Sequence, residues 1–245
     1  MVRDALVLAA RDVPGHWHGE RAPKALIAPH AGYMYSGPVA ASAYLQVAPG
    51  RGIIERVVVT GPAHWVALAA VAGSSARAFA TPLGEVRVDV DGQQAALSCP
   101  GVVVDDHAHA REHSLETHLP FIQEVLGEVA VLPLLVGQVP AALVADVLEA
   151  VWDGPETLVV VSTDLSHYHD HATASALDRG TAEAIVACRP EEVGLDRACG
   201  VFAVRGLLEA ARRHHLEVAM VDLRTSGDTV GSRDSVVGYG AFVLT

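Results

Sequence analysis

Short apolar runs alternate with longer segments of helical spacing from one end of this chain to the other, and few folds accommodate that order. The runs cover residues 25–28, 56–60, 129–135, 158–162, 218–223 and 236–244. Between them, 39–47, 114–126, 141–152, 172–187 and 200–215 place apolar residues at helical intervals and are rich in Ala, Leu, Glu and Arg. Uninterrupted apolar runs of this length are strands buried on both faces, and the helical segments are the crossovers that join them. The order predicts one α/β domain with a central, mostly parallel or mixed sheet flanked by helices. Over 84–90 the pattern changes: Val86, Val88 and Val90 alternate with Glu85, Arg87 and Asp89 before Asp91-Gly92. That alternation predicts a half-exposed strand at the sheet edge, closed by a turn.

Composition agrees with a well-filled core. Of 245 residues, 51% are hydrophobic and 19% charged, and no repeat or low-complexity linker divides the chain, so 1–245 reads as a single domain. The net charge of -12, with only 17 Lys and Arg, excludes a nucleic-acid or anionic-membrane surface, because phosphate binding needs clustered cations. Cys99, Cys188 and Cys199 are odd in number and without CxxC spacing, which argues against a disulfide framework or a zinc ribbon and for a reducing compartment. The first ten residues are too short and too acidic for a signal peptide, and no run of about 18 apolar residues is present. The expectation is a soluble, cytoplasmic protein.

In open α/β sheets ligands bind beyond the carboxyl ends of the strands, so the residues that follow each run are the candidates for chemistry. After 25–28 comes Pro29-His30, and after 56–60 comes Gly61-Pro62-Ala63-His64. After 158–162 comes Thr163-Asp164-Leu165-Ser166-His167, and after 218–223 comes Arg224-Thr225-Ser226-Gly227-Asp228. Two neutral imidazoles and one carboxylate from separate strand ends form the facial arrangement that leaves three positions open on a metal such as Fe(II). His30, His64 and Asp228 are the candidate ligands. Ser-Gly-Asp is equally ordinary turn chemistry, with the Asp capping backbone amides, so both readings of Asp228 stand. Asp164 reads as a helix or turn cap and as a group that orients His167 for proton transfer.

The densest ionisable stretch runs from Asp105 to His118. Leu115, Leu119, Ile122 and Leu126 define a core stripe, and His113 and Glu116, three apart, share the opposite face, where His113 is a candidate proton-transfer group. His118 flanks the core stripe and reads as a hydrogen-bonded, semi-buried histidine. His107 and His109 read as solvated loop residues. His16, Trp17 and His18 lack strand context, and His169 and His171 crowd behind His167.

Six blocks, in order, resemble a known family: PHAGYMYSG from Pro29, GPAHW from Gly61, EHSLETHLPF from Glu112, STDLSHY from Ser162, TSGD from Thr225 and VVGYG from Val236. Together they look like the Memo family, whose prokaryotic members include the AmmeMemoRadiSam system protein B. The resemblance implies a fold similar to the class III extradiol dioxygenases (LigB-like), a metal pocket on His30 and His64, and His113, Asp164 and His167 around it. It also implies a radical-SAM protein as partner. Eukaryotic Memo proteins place a Cys where this chain reads Ser226 to Thr229, and none of its three cysteines lies there. A carboxylate in place of a thiolate favours Fe(II) or Mn(II) over Cu(I), so copper chemistry of the eukaryotic branch does not transfer.

Three functions follow as expectations. The first is a non-haem iron redox enzyme related to extradiol dioxygenases. The second is a binding or accessory protein for a small molecule or peptide, working with the radical-SAM partner. The third is a Zn(II)-dependent hydrolase that activates water.

Overall fold

The computed structural model of the protein describes residues 1–12 and 21–245, so His16, Trp17 and His18 lie outside the described residues. Its elements follow the expected alternation. Strands are β1 (Ala25–Ala28), β2 (Arg56–Pro62), β3 (Val71–Gly73), β4 (Ala78–Thr81), β5 (Gly84–Arg87), β6 (Val102–Val104), β7 (Ala130–Val136), β8 (Thr157–Ser162), β9 (His167–His169), β10 (Val218–Thr225) and β11 (Val236–Leu244). Helices are α1 (Val2–Asp12), α2 (Tyr33–Leu45), α3 (Val90–Leu97), α4 (Asp106–His109), α5 (Leu119–Leu126), α6 (Ala141–Glu149), α7 (His171–Val186) and α8 (Val201–Arg213).

The main sheet runs β10-β11-β1-β8-β2-β7-β3-β6, with β9 paired to β11. β1, β8, β2 and β7 are mutually parallel, while β11 joins β1, and β3 joins β7, antiparallel. Alternate residues of each central strand serve opposite cores, as the two-residue period requires. Leu26, Val57, Val59, Val131 and Val160 pack with α1, α2 and α5, whereas Ile27, Val58, Leu132, Val159 and Val161 pack with α6, α7 and α8. With both faces covered, the central strands have no polar side, which is why they read as continuous apolar runs.

Two expectations are corrected. The 84–90 segment is not one edge strand of the main sheet. β5 pairs with β4 in a separate two-stranded sheet and the segment meets the main sheet only at a single bridge, Val88 to Val131 of β7, while Asp89 caps α3 by accepting from the Gly92 amide at 3.1 Å, which turns Asp91-Gly92 into the first turn of a helix. The segment 114–126 is not one helix either. Pro120 lacks an N–H and is tolerated only in a first turn, so α5 starts at Leu119, after a 3-10 turn over Glu116–His118.

Because β1 pairs with β8 and β8 with β2, all parallel, their carboxyl ends lie side by side, with Ala28 opposite Ser162 and Thr60 opposite Val161. The loops bearing His30, His64 and Asp164 therefore leave the sheet at one place.

Candidate metal centre

Close packing at that end draws the loops inward. A Cβ on Gly61 would lie 3.0 Å from both Leu115 Cδ2 and Ser162 Cβ, so a bare glycine lets the 112–115 loop approach the strand end. A Cβ on Gly200 would lie 2.5 Å from the Ser162 carbonyl oxygen, so α8 starts directly against β8 and delivers Cys199 beside Asp164.

Three imidazoles converge here. One ring nitrogen from each of His30, His64 and His113 lies within 4.8 Å of the others. The ring centroids form a near-equilateral triangle of 5.2, 5.5 and 5.1 Å for His30–His64, His30–His113 and His64–His113. His30 is buried, whereas the His64 and His113 side chains keep 29% and 46% of their exposure, so the triangle has a closed back and an open front.

Glu112 holds the open side in place. Its Oε1 accepts from His64 Nδ1 at 2.8 Å and from the His113 and Ser114 amides at 3.0 Å each, and its Oε2 accepts from the His64 amide at 2.5 Å. His113 Nδ1 lies 3.6 Å from the same Oε1. Burial opposes the Glu112 charge, but the hydrogen bonds from the His64 ring and from the backbone amides outweigh it and lower its pKa to about 2. An ionised carboxylate only accepts, so His64 carries its hydrogen on Nδ1 and leaves Nε2 for the side where the other two rings converge.

His30 is oriented from behind, with Nδ1 2.6 Å from Ser162 Oγ. Burial, followed by the charges of His64 and His113, lowers its pKa to about 3, so the ring is neutral and fit to ligate. Asp164 accepts from the His30 amide at 2.9 Å, and its other oxygen lies 4.0 Å from His30 Nε2; burial raises its pKa. His167 donates Nδ1–H to the Leu165 carbonyl at 2.8 Å, so Asp164 is not what holds that ring. Cys199 Sγ lies 3.5 Å from His30 Nε2, and burial raises its thiol to about 12. A cleft of about 400 Å³ opens beside the triangle between His64, Trp65, Cys199 and Phe202.

Asp228 is not brought to this group. Its Oδ2 accepts from the Thr225 amide and hydroxyl at 2.9 Å each, and its Oδ1 from His171 Nε2 at 2.7 Å, the capping role that Ser-Gly-Asp chemistry allows. His113 stands where the sequence placed a carboxylate, and it does so from the loop that precedes the 116–118 turn rather than from a helix face shared with Glu116. Of the remaining histidines, His107 and His169 are exposed and His109 donates Nε2–H to the Ala72 carbonyl at 3.0 Å. The sequence reading passed over Glu112, although it directly precedes His113, and over Ser162, which looks like a strand residue.

A cavity of about 650 Å³ lies at the opposite end of the strands between Lys24, Trp152 and His214. Its Lys24 ammonium is engaged, donating to the carbonyls of Trp152, Gly154 and Thr157 at 2.5, 2.8 and 2.9 Å.

Residues 6–243 match the family model described as Memo-like protein. A MEMO1 family protein of Methanopyrus kandleri is 36% identical over 97% of this chain and 88% of its own length. One of Thermotoga maritima is 36% identical over 91% of this chain and 83% of its own. The crystal structure of an uncharacterized protein from Escherichia coli K12 superposes with a TM-score of 0.53 at 14% identity, covering 89% of this chain and 99% of that one, which shows a shared fold.

Proposed function

The chain belongs to the Memo family, and on that premise we propose that it is a metal-dependent redox enzyme in which His30, His64 and His113 hold one divalent ion, Fe(II) being the working metal. The observation that supports this reading is the convergence of three imidazole nitrogens at the carboxyl end of a parallel sheet. Neutral imidazole suits iron, zinc and copper far better than magnesium or calcium, and nitrogens 4.8 Å apart or less need only small ring rotations to meet one ion at about 2.0–2.1 Å. Bound there, the ion would supply Lewis acidity and open coordination positions.

The chain's own residues supply the rest. Glu112 and Ser162 fix the ligand rings, and Trp65 and Phe202 wall the cleft that would receive a small organic substrate. In this reading Asp164, on the turn after β8 with one oxygen 4.0 Å from His30 Nε2, and His167, at the start of β9, would take up or deliver a proton.

A second reading is a zinc hydrolase, favoured by one observation: the third converging group is an imidazole, and three histidines are a set that catalytic zinc uses to bring the pKa of bound water to about 7. Protein purified without oxygen separates the two. Stoichiometric iron with oxygen consumption over a panel of electron-rich substrates is expected. Stoichiometric zinc with oxygen-insensitive hydrolysis would replace the redox reading by the second, and failure to retain either metal would sink both.

A further inference from the structure

Behind His30 lies a chain of buried groups that none of the candidate ligands includes. Ser162 Oγ is 2.6 Å from the Ser114 carbonyl oxygen, 2.6 Å from His30 Nδ1 and 2.9 Å from His118 Nε2. On its far side, His118 Nδ1 is 3.0 Å from the Tyr44 hydroxyl. His30, His118, Ser162 and Tyr44 are each at most 2% exposed, so water does not compete for these bonds.

Counting hydrogens fixes every role. The Ser162 hydroxyl carries one hydrogen and two lone pairs, and a carbonyl oxygen only accepts, so the hydroxyl hydrogen goes to Ser114. Both ring nitrogens that face Oγ must then be donors. His30 is Nδ1–H, with its lone pair on Nε2, where the Cys199 thiol at 3.5 Å can donate to it, on the side where His64 and His113 converge. His118 is Nε2–H, and its bare Nδ1 accepts the Tyr44 hydroxyl hydrogen. Within these four bonds each donor hydrogen and each acceptor lone pair is used once. In the opposite tautomer, His30 would set its Nδ1 lone pair against an Oγ lone pair, or would take the serine hydrogen from Ser114 and leave a buried acceptor unpaired, at a cost of about 1–3 kcal/mol.

We infer that Ser162 and His118, backed by Tyr44, form a tautomer lock that holds His30 as an Nδ1–H imidazole with Nε2 free for the metal. Both are positioning residues that act through hydrogen bonds and touch neither metal nor substrate. The functional consequence rests on reading His30 as a ligand; the lock itself does not.

The test has two arms. In the first, two-bond proton–nitrogen NMR spectra of the histidine-labelled, metal-free protein report each tautomer, with the two rings assigned from the variants below. His30 is expected as Nδ1–H, the minor form of histidine free in water, and His118 as Nε2–H. An Nε2–H form for His30 overturns the inference. In the second arm, Zn(II) affinity is measured by chelator competition. Ser162→Ala should weaken it about 10- to 100-fold, the range for partners behind metal ligands. His118→Leu should weaken it less, and His118→Gln, whose side-chain amide N–H can replace Nε2–H, should restore it. Unchanged affinity in Ser162→Ala and His118→Leu proteins of native circular dichroism also overturns it. If the wild-type protein binds no zinc, the metal reading fails and the metal-free spectrum alone decides the lock.

Discussion

Two groups of histidines and carboxylates sit at strand ends in this chain, and they are arranged in opposite senses. Around Glu112, the carboxylate takes His64 at Nδ1 and leaves Nε2 turned toward two other rings. Around Asp228, the carboxylate takes His171 at Nε2, and its remaining lone pairs go to the Thr225 amide and hydroxyl, with Arg233 at 3.3 Å. The ingredients are alike; the nitrogen engaged is not. An acid beside an imidazole prepares a ligand when it holds one nitrogen and the other faces further converging groups, as at His64; at Asp228 the second oxygen is spent on the Thr225 amide and hydroxyl, which closes a turn.

The largest effect should come from the converging rings. His30→Ala, His64→Ala and His113→Ala are each expected to weaken metal binding by more than about 100-fold, beyond the range for partners outside the coordination sphere. Asp228→Asn should leave binding within about twofold by the same comparison, because its oxygens are engaged elsewhere. Elemental analysis after chelator dialysis reads both. Loss of metal in Asp228→Asn with retention in His113→Ala would reverse the assignment and return the carboxylate to the site.

Glu112→Gln comes next. The amide keeps the shape but loses the charge and two of the lone pairs that anchor His64 and the neighbouring amides, so metal affinity should fall about 10- to 100-fold, measured by chelator competition. An affinity equal to that of the unaltered protein would make Glu112 a fold residue only.

How stability responds to acid separates the two regions further. His30 and His118 are both held near pKa 3, below the ordinary value of 6.5, first by burial and then by neighbouring rings. The unfolded chain therefore binds more protons than the folded one between pH 6.5 and 3. Folding stability falls as pH drops through that window, by up to about 1.4 kcal/mol per pH unit for each ring. Glu112, lowered to about 2, adds a loss in the same direction below about pH 4.5. Urea midpoints between pH 7.5 and 4.5 should therefore decline, and His118→Gln, which cannot titrate, should decline less steeply. A flat profile over this range would contradict the burial of both rings.

Much of this architecture was legible in the sequence, because a central parallel strand covered on both faces has no polar face: 25–28, 56–60 and 158–162 are apolar at consecutive positions, with Arg56, Thr60 and Ser162 only at the ends of the runs, and they alternate with helical segments. The misreadings have physical causes. Asp89 looks like the polar partner in a strand alternation, but its carboxylate caps α3, and Pro120 sets the start of α5 at a place that apolar spacing alone does not mark. At the site, His30 and His64 are visible because they follow strands whose carboxyl ends are adjacent. His113, Glu112 and Ser162 are not marked in that way. The 112–115 loop reaches the strand end because Gly61 makes room for it, a close approach between segments about fifty residues apart that no local period encodes.

The smallest effect belongs to the Asp228 corner. Asp228 closes a reciprocal cap in which the Thr225 side chain serves the start of the 226–228 turn and the Asp228 carboxylate serves the Thr225 amide. Losing such a cap costs about 0.5–2 kcal/mol, so Asp228→Ala should unfold at correspondingly lower urea while its Zn(II) affinity stays within about twofold. His171→Phe removes the ring donor but leaves Thr225 served, so it should cost less than Asp228→Ala. Asp228 also meets the Arg233 guanidinium at 3.3 Å, and because those side chains are 29% and 67% exposed, salt should screen that ion pair and narrow the gap, while the amide bond to Thr225 persists. A penalty from Asp228→Ala that disappears in high salt would mean that the ion pair, rather than the cap, is what the carboxylate provides.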